Sequence, residues 1–210
     1  MASRGKSAAP SSTPAARGAD ARLLRIIGGR WRGRRLRFPA AGLIRPTPDR
    51  VRETLFNWLG ARIVGARCLD LFAGSGALGL EALSRGAAHV TFVEQDAAAA
   101  RELRARLNEW RAGDAVVEQA DALRYLAEAS RPFDIVFLDP PYDSQLLGRA
   151  AALLEARGWL KAGVLIYVEC AAREGLPPLP ASWRLLKARR AGEVGYHLFA
   201  HAAPEDREAP

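Results

Sequence analysis

Residues 67–85 read RCLDLFAGSGALGLEALSR. An apolar, strand-like run extends from Arg67 to Phe72, a glycine-rich turn follows, and a helical pattern begins at Ala77. Glycines let a ligand approach the backbone closely, and the N-terminus of a helix offers N–H groups that have no partner within the helix. The stretch therefore predicts a strand, a turn and a helix of a doubly wound α/β sheet, with a ligand bound at the turn.

The sequence after this unit continues to alternate strands with helices. We predict strands at 67–72, 89–94, 115–119, 134–138 and 164–170, and helices at 77–85, 97–110, 122–129 and 146–157. Two final strands, at 183–190 and 193–201, are joined by a turn near Gly192. Such alternation requires a mostly parallel sheet with helices on both faces, and the terminal hairpin adds an antiparallel strand. We expect a Rossmann-like α/β fold with a seven-stranded sheet.

Composition places the chain among ordinary globular proteins. Its 210 residues are 49% hydrophobic and 26% charged, enough for one large domain with a small appendage. Cys68 and Cys170 lie in apolar runs, as buried thiols do in a reducing compartment, with no histidines at zinc-ligand spacing. No apolar run reaches the roughly 18 residues that span a bilayer. We expect a cytoplasmic monomer without a metal and without a membrane partner.

Positive charge is concentrated near the start of the chain. The net charge is +8, yet ten arginines lie between Arg22 and Arg52 against one carboxylate, Asp49. The chain from Glu53 onward sums to −3. A GC-rich genome, which encodes arginine and alanine freely, explains the scarcity of lysine but not the concentration of positive charge at one end of the chain. A basic pole on a near-neutral body is typical of a surface that binds a polyanion, because cations that contact phosphates release counterions.

The basic segment also has a predicted structure. Two short strand-like runs flank a glycine-punctuated turn, which indicates a small N-terminal β-hairpin arm. A helix follows, with Thr47 as its N-cap and Pro48 as its first residue. For Trp31 two interpretations stay open: it stacks on a base, or it packs the hairpin. The residues predicted to bind nucleic acid are Arg25, Arg30, Trp31, Arg32, Arg34, Arg35, Arg45, Thr47 and Arg50.

The glycine turn carries the predicted cofactor site. Its three glycines satisfy the dinucleotide-binding spacing, and Glu94 ends the next strand as an acceptor for a ribose hydroxyl. Asp70 would repel a pyrophosphate and suits an ammonium group, as in the methionine end of S-adenosylmethionine. For Asp121 two roles stay open, and they are not exclusive: it accepts from an adenine amine, or it caps the helix that starts at Ala122. The predicted cofactor-binding residues are Asp70, Phe72, Gly74, Ser75, Gly76, Gly79, Glu94 and Asp121.

A second candidate site follows the predicted strand at 134–138. It reads Asp139, Pro140, Pro141 and Tyr142, which we predict to be the catalytic residues. The prolines lack backbone donors, so the Asp139 carboxylate and the Pro140 carbonyl remain as acceptors, and Tyr142 offers a flat ring for stacking. Acceptors beside an aromatic ring suit a planar substrate that bears an exocyclic amine. Ligands of open α/β sheets bind at this edge.

Together these motifs resemble the class I S-adenosylmethionine-dependent methyltransferases that modify exocyclic amines. More narrowly, four segments are similar to the RsmD family, which methylates guanine 966 of bacterial 16S ribosomal RNA at N2. The segments are RIIGGRWRG at 25–33, RPT at 45–47, DRVRETLFNW at 49–58 and GSGALGLEAL at 74–83. They occur in the family's order and spacing, and the similarity runs from about Leu24 to about His201. Only the tail before Arg22 departs from the pattern.

The resemblance implies a function for each part of the chain. The donor would be S-adenosylmethionine, leaving S-adenosylhomocysteine, with no metal. The partner would be 16S ribosomal RNA, either free or within the 30S subunit or an assembly intermediate. Accordingly we expect a disordered tail at 1–21, a basic RNA-binding hairpin and helix at 22–60, a methyltransferase domain at 61–203 and a loose C-terminus at 204–210.

Other functions remain open on the sequence. The same chemistry could act on adenine N6 or cytosine N4 of DNA, or on a protein amide, although no appended domain is present to read a DNA sequence. A nicotinamide-dependent dehydrogenase also fits the glycine spacing, but Asp70 and the Asp139 motif weigh against it. A non-catalytic RNA-binding protein is disfavoured by the intact Asp139 motif. Measuring methyl transfer decides whether the protein is catalytic, and identifying the modified nucleoside after incubation with a labelled donor and total RNA tests the favoured substrate.

Overall fold

The computed structural model describes residues 22–38, 48–142 and 145–202. The predicted tail at 1–21, the C-terminal segment from 204 and two predicted RNA ligands, Arg45 and Thr47, lie outside the described residues. The N-terminal hairpin consists of β1 (Arg22–Arg25) and β2 (Arg35–Phe38), which pair antiparallel. A 3-10 turn at Gly29–Trp31 lies between them.

Helix α1 (Asp49–Leu59) begins later than the sequence predicts. Pro48 has an extended ψ of 145° and is the N-cap instead of the first helical residue. Its carbonyl accepts from the N–H groups of Val51 and Arg52 at 2.9 and 3.1 Å. The assignment of the cap to Thr47 is therefore wrong by one position, because the rigid φ of proline suits both positions.

The remaining elements form the large α/β unit. In chain order they are β3 (Arg67–Asp70), α2 (Ala77–Ser84), β4 (His89–Glu94), α3 (Ala97–Glu109), β5 (Ala115–Gln119), α4 (Ala122–Ala127), β6 (Phe133–Leu138), α5 (Leu146–Ala156), β7 (Leu160–Ala171), β8 (Trp183–Ala191) and β9 (Val194–His201). A short 3-10 segment, Gly60–Ile63, joins α1 to this unit.

The strands form one seven-stranded sheet in the order β5-β4-β3-β6-β7-β9-β8. Strands β3 to β7 are parallel, and β9 runs antiparallel to both of its neighbours. The predicted Rossmann-like sheet with a terminal hairpin is confirmed. The strand order reverses between β3 and β6, so the loops after these strands meet at one edge, where open α/β sheets bind ligands.

Successive residues of each central strand point to opposite faces of the sheet and bury two hydrophobic cores. On β6, Ile135 and Phe137 belong to the core that includes α1, α2, α3 and the hairpin. Val136 and Leu138 belong to the other core, with α4 and α5. Leu24 and Leu36 of the hairpin are 2% and 4% exposed, so the hairpin packs into the same core as the first of these sheet faces.

Neither a membrane-spanning helix nor a metal-binding cluster occurs among the described residues. No helix there is long and apolar enough to cross a bilayer. Nor does any group of three or more histidine, cysteine or carboxylate side chains within these ranges come together to hold a metal ion.

Candidate active site

The glycine turn connects the end of β3 to the start of α2. Gly74 and Gly76 have φ values of +51° and +75°, which favour glycine because a side chain is strained there. Gly79 lies in the first turn of α2, where a Cβ would stand 2.2 Å from the Phe92 ring. The close approach of α2 to β4 therefore requires glycine, and it fixes the turn against the sheet edge.

Asp70 is buried beneath this turn, with 3% of its surface exposed. Its Oδ2 accepts from the Gly79 N–H at 3.0 Å and so ties the start of α2 to the end of β3. Burial raises the pKa of Asp70 to about 7; the Gly79 hydrogen bond lowers it, and the charges of Asp139 and Glu94 raise it further. The carboxyl group that ties the start of α2 to the end of β3 therefore has a pKa of about 7.

Glu94 ends β4 and holds the other side of the turn. Its Oε2 accepts from the Gly74 N–H at 2.6 Å, and its Oε1 accepts from the Asp96 N–H at 2.7 Å. Each carboxylate oxygen has more than one lone pair, so these bonds leave acceptor capacity for a ribose hydroxyl. The predicted role of Glu94 in binding a ribose stays a prediction, and the structure adds a second role in shaping the turn.

Asp121 caps α4, as one of its two interpretations requires. Its Oδ1 accepts from the N–H groups of Leu123 and Arg124, both at 3.0 Å. Among the described residues Oδ2 has no hydrogen-bond partner. The cap uses one carboxylate oxygen and leaves the other without a partner in the described part of the chain, so the capping role and a bond to an adenine amine are compatible.

The predicted catalytic residues follow β6 directly. Asp139 is half-buried and Pro140 is buried, whereas Pro141 and Tyr142 are exposed, the latter by 40%. Asp139 is near enough to Asp70 for its charge to raise the pKa of that group. The structure therefore brings the Asp139 motif and the glycine turn to the same edge of the sheet. Phe72 and Ser75 of the turn are half-buried.

A cavity of about 370 Å³ opens beside Tyr142. Its walls include Pro140, Pro141 and three residues that the sequence analysis missed, Glu169, Cys170 and Glu174. Glu169 is 2% exposed, and its Oε1 accepts from the Tyr167 hydroxyl at 2.8 Å. A lone carboxylate inside the apolar run 164–170 was the available signal, because a buried charge in a strand usually has a function.

The arm presents its arginines to solvent but buries its tryptophan. Trp31 is 5% exposed, and its ring lies 4.9 Å from that of Trp110. The packing interpretation is therefore correct for Trp31, and its assignment as an RNA ligand is wrong. The described arginines of the predicted set are all exposed: Arg25, Arg30, Arg32, Arg34, Arg35 and Arg50.

Helix α2 anchors the arm through Glu81, which is fully buried. Its carboxylate accepts from the N–H groups of Ile27 and Gly28, each at 2.8 Å. It also faces the buried guanidinium of Arg52 at 3.5 Å and that of Arg85 at 2.7 Å. Ile27, Gly28 and Arg52 are 29 to 54 residues from Glu81 along the chain, so no local pattern in the sequence reveals these contacts. Arg85 is four residues from Glu81, at the C-terminal end of the same helix.

Comparison with known proteins agrees with this geometry. Residues 24–200 match the family described as conserved hypothetical protein 95. The chain is 50% identical over 186 residues to ribosomal RNA small subunit methyltransferase D of Escherichia coli K12, covering 89% of this chain and 94% of that one. It is 44% identical to the protein of that name from Haemophilus influenzae, covering 89% and 96%.

Solved structures show the same relationship. A putative methyltransferase, yhhF of Escherichia coli, superposes with a TM-score of 0.80 at 50% identity, covering 86% of this chain and 99% of that one. The 16S rRNA N2 G1207 methyltransferase RsmC of Thermus thermophilus, in complex with AdoMet and guanosine, gives 0.61 at 27% identity, covering 88% and 50%. The chain therefore belongs to the RsmD family of class I methyltransferases, matched here as conserved hypothetical protein 95.

Proposed function

We propose that this protein transfers the methyl group of S-adenosylmethionine to the exocyclic N2 of a guanine in small-subunit ribosomal RNA. The observation that carries the proposal is the placement of Asp139 and Pro140 at the sheet edge, between the glycine turn and an acid-lined cavity. The names of the family relatives support ribosomal RNA as the substrate. The structural neighbour with bound guanosine supports N2 as the acceptor.

The residues at the glycine turn fit an adenosyl cofactor. Glu94 and the Oδ2 of Asp121 would accept from the ribose and the adenine amine, and the glycines, which have no side chain, would let the cofactor lie against the backbone. Asp70 would face the ammonium group through its buried carboxyl. When bound, the cofactor supplies an activated methyl group on a sulfonium, so the protein mainly has to align the acceptor with that group.

Asp139 and Pro140 would act on the acceptor nitrogen. The lone pair of a guanine amine is delocalised into the ring, which makes the nitrogen a poor nucleophile. Hydrogen bonds from its two N–H groups to the Asp139 carboxylate and the Pro140 carbonyl favour a pyramidal nitrogen. The same acceptors stabilise the positive charge that forms there during transfer. The nitrogen then releases one proton, to water or to Asp139.

Tyr142 and the cavity would hold the target base. A base in an RNA helix must leave its stack before an enzyme can reach its amine, and aromatic side chains commonly receive it. Tyr142 is 40% exposed beside a cavity of about 370 Å³, within the volume range of small-molecule sites. We therefore place the flat face of the target base against Tyr142.

The acidic wall of the cavity supports guanine over other bases. Glu169 and Glu174 line it, and a carboxylate accepts hydrogen bonds but does not donate them. The Watson–Crick edge of guanine offers adjacent donors at N1 and N2, whereas adenine and cytosine each place an acceptor beside the amine. Carboxylates in the cavity wall therefore complement the two donors of guanine, whereas they would face an unfavourable acceptor on adenine or cytosine.

The test is to identify the methylated nucleoside. The protein is incubated with a methyl-labelled donor and either deproteinised 16S ribosomal RNA or 30S subunits, and the RNA is digested to nucleosides for mass spectrometry. We expect the label in N2-methylguanosine from at least one of the two substrates. Label in N6-methyladenosine or N4-methylcytosine contradicts the guanine assignment. No transfer to either substrate, or transfer to DNA alone, contradicts the proposal as a whole.

A further inference from the structure

Strand β8 forms one edge of the sheet and is exposed along most of its length. All seven side chains from Arg184 to Arg190 are exposed, and the four cations among them are Arg184, Lys187, Arg189 and Arg190. None of the seven residues is a carboxylate. Within the described part of the chain, Lys187 and Arg189 form no ion pair. These two cations are therefore available to a partner.

The charge of β8 is a local concentration. The chain from Glu53 to its end has 18 cations and 21 carboxylates, a net −3. Strand β8 has a net charge of +4, so the other residues from Glu53 to the end of the chain have a net charge of −7. The basic character of the strand thus does not reflect the composition around it.

Protection of a sheet edge does not account for this charge. Lysine and arginine on edge strands discourage pairing with other molecules, and this need exists at both edges of a sheet. The opposite edge, β5, has the sequence AVVEQ, in which Glu118 is the one charged residue and Val116 is 41% exposed. Because only the β8 edge is basic, protection against pairing does not explain its cations, and these cations are expected to have a further role.

Three of the four cations, Arg184, Lys187 and Arg189, lie on the sheet face that also carries the arm. Arg184, which pairs with Ala200, is at the amino end of β8, away from the candidate catalytic loop. Lys187 pairs with Leu198 and Arg189 pairs with Tyr196, and directly paired residues share a face. The Tyr196 ring stacks on Trp58 of α1 at 5.3 Å. Lys187 and Arg189 therefore project beside α1, on the face where the hairpin packs. Arg190 pairs with Gly195 on the opposite face, and its Nε donates to the Gly192 carbonyl.

Lys187 and Arg189 lie level with the candidate catalytic loop. Leu138 at the end of β6 pairs with Val168, which pairs with His197, which in turn pairs with Ala188. Asp139 is the residue after Leu138, and Arg189 is the residue after Ala188, so Asp139 and Arg189 lie level with each other. Three strand spacings separate them across the sheet, about 14 Å at roughly 4.8 Å per strand. Such a distance is spanned by a few nucleotides.

We infer that β8 is a second RNA-binding surface, on which Lys187 and Arg189 contact phosphates of the RNA that flanks the target guanine. This inference rests on the proposed function. The arm lies over α2 and the β8 cations lie beyond β7 and β9, so the catalytic loop stands between two basic surfaces. RNA gripped on both sides of the target nucleotide is held in register while the base enters the cavity.

The test compares Lys187→Ala/Arg189→Ala with the parent protein. We expect RNA affinity to fall roughly tenfold, and the slope of log K against log salt to decrease by about 1.4 for two contacts with single-stranded RNA. The affinity for S-adenosylhomocysteine, which reports an intact fold, should not change. Arg131→Ala/Arg157→Ala removes the same charge from exposed residues at the opposite end of the sheet and should leave RNA affinity near that of the parent.

The controls separate this inference from the proposed function. Methyl transfer by the parent protein to 16S ribosomal RNA is measured first, and its absence contradicts the proposed function. If the parent transfers methyl groups but the β8 variant binds naked RNA with unchanged affinity and salt slope, β8 is not an RNA surface. A loss confined to 30S subunits, with naked RNA unaffected, indicates a protein contact and overturns the inference as well. The charge-conserving Lys187→Arg/Arg189→Lys variant should retain parental affinity.

Discussion

Two carboxyl groups at the ends of neighbouring strands have different surroundings. Asp70 ends β3 and is 3% exposed, whereas Asp139 follows β6 and is half-buried at the sheet edge. Burial first, and then the nearby charge of Asp139, raises the pKa of Asp70 to about 7. We expect Asp70 to support the glycine turn and the cofactor, and Asp139 to contact the acceptor amine.

Replacing Asp139 should separate chemistry from cofactor binding. Asp139→Ala removes the charged acceptor for the amine, so the rate of methyl transfer should fall by a factor of about 10² or more. The Kd for S-adenosylhomocysteine should stay within about twofold of the parental value. Asp114→Asn, an exposed acid at the amino end of the sheet, is the matched control. Parental turnover in Asp139→Ala would remove this residue from the mechanism.

Replacing Asp70 should change how stability depends on pH. Folding raises the pKa of Asp70 from 3.8 to about 7, so between these values the folded chain keeps a proton that the unfolded chain has lost. The free energy of unfolding therefore decreases as pH rises through this window. Asp70→Asn has no such proton and keeps an oxygen that can accept from Gly79.

Urea unfolding at several pH values between about 4 and 8 measures the effect. We expect Asp70→Asn to flatten the decrease in stability that the parent protein shows across this range. An identical pH dependence in the two proteins would mean that Asp70 does not hold its proton to about pH 7 in the folded state.

At the scale of elements, α2 joins the two candidate sites. Its first turn follows the glycine turn, where Gly79 donates to Asp70. Its last turn holds the arm, where Ser84 Oγ donates to the Gly28 carbonyl and accepts from the Trp31 N–H. One helix of eight residues therefore sets the position of the arm relative to the cofactor site.

Removing the buried carboxylate of α2 should destabilise the protein strongly. Glu81→Ala leaves the N–H groups of Ile27 and Gly28 without their acceptor and removes the buried carboxylate that faces the guanidiniums of Arg52 and Arg85, at a cost of about 3–5 kcal/mol. Glu102→Ala breaks a surface ion pair with Arg106 and should cost less than about 1 kcal/mol. Chemical denaturation measures both, and equal costs would show that the Glu81 anchor does not stabilise the arm.

The elements themselves could largely be predicted from the sequence. The strands at 89–94 and 115–119 have the predicted bounds, because apolar runs end there at charged or glycine-rich turns. Strand β7 begins at Leu160 instead of residue 164. The three residues after Leu160 are polar or small and at least partly exposed, and the pairing with β6 is irregular between Phe133 and Ile135. Because the start of β7 is exposed and irregularly paired, it has no apolar pattern from which its first residue could be predicted.

The candidate site was predictable where one local motif holds its residues. The glycine turn and the Asp139 motif are contiguous in sequence, so their chemistry could be inferred before the fold was known. The burial of Trp31 against Trp110 and the pairing of Arg52 with Glu81 join segments far apart in the chain. Tertiary packing decides such contacts, and a sequence pattern with a period of two or 3.6 residues does not contain them.

For the whole molecule, the arm and the large sheet differ in charge, and this difference bears on how RNA binds. Arg32→Ala/Arg35→Ala removes two exposed cations from the hairpin without touching Arg30 or Arg34, whose guanidiniums lie over tryptophan rings. We expect weaker RNA binding and a salt slope smaller by about 1.4, with unchanged cofactor affinity. Filter binding across a salt series checks this. RNA affinity equal to the parental value at every salt concentration would exclude these arginines from the RNA surface.

The central claim is that the glycine turn binds an adenosyl sulfonium cofactor, and calorimetric titration tests it most directly. We predict that one equivalent of S-adenosylmethionine or S-adenosylhomocysteine binds to the parent protein. Glu94→Gln keeps an acceptor for the Gly74 N–H but loses the charge that would hold the ribose, so it should bind about tenfold more weakly. A folded protein that binds neither compound, or a Glu94→Gln variant with parental affinity for both, would contradict the account.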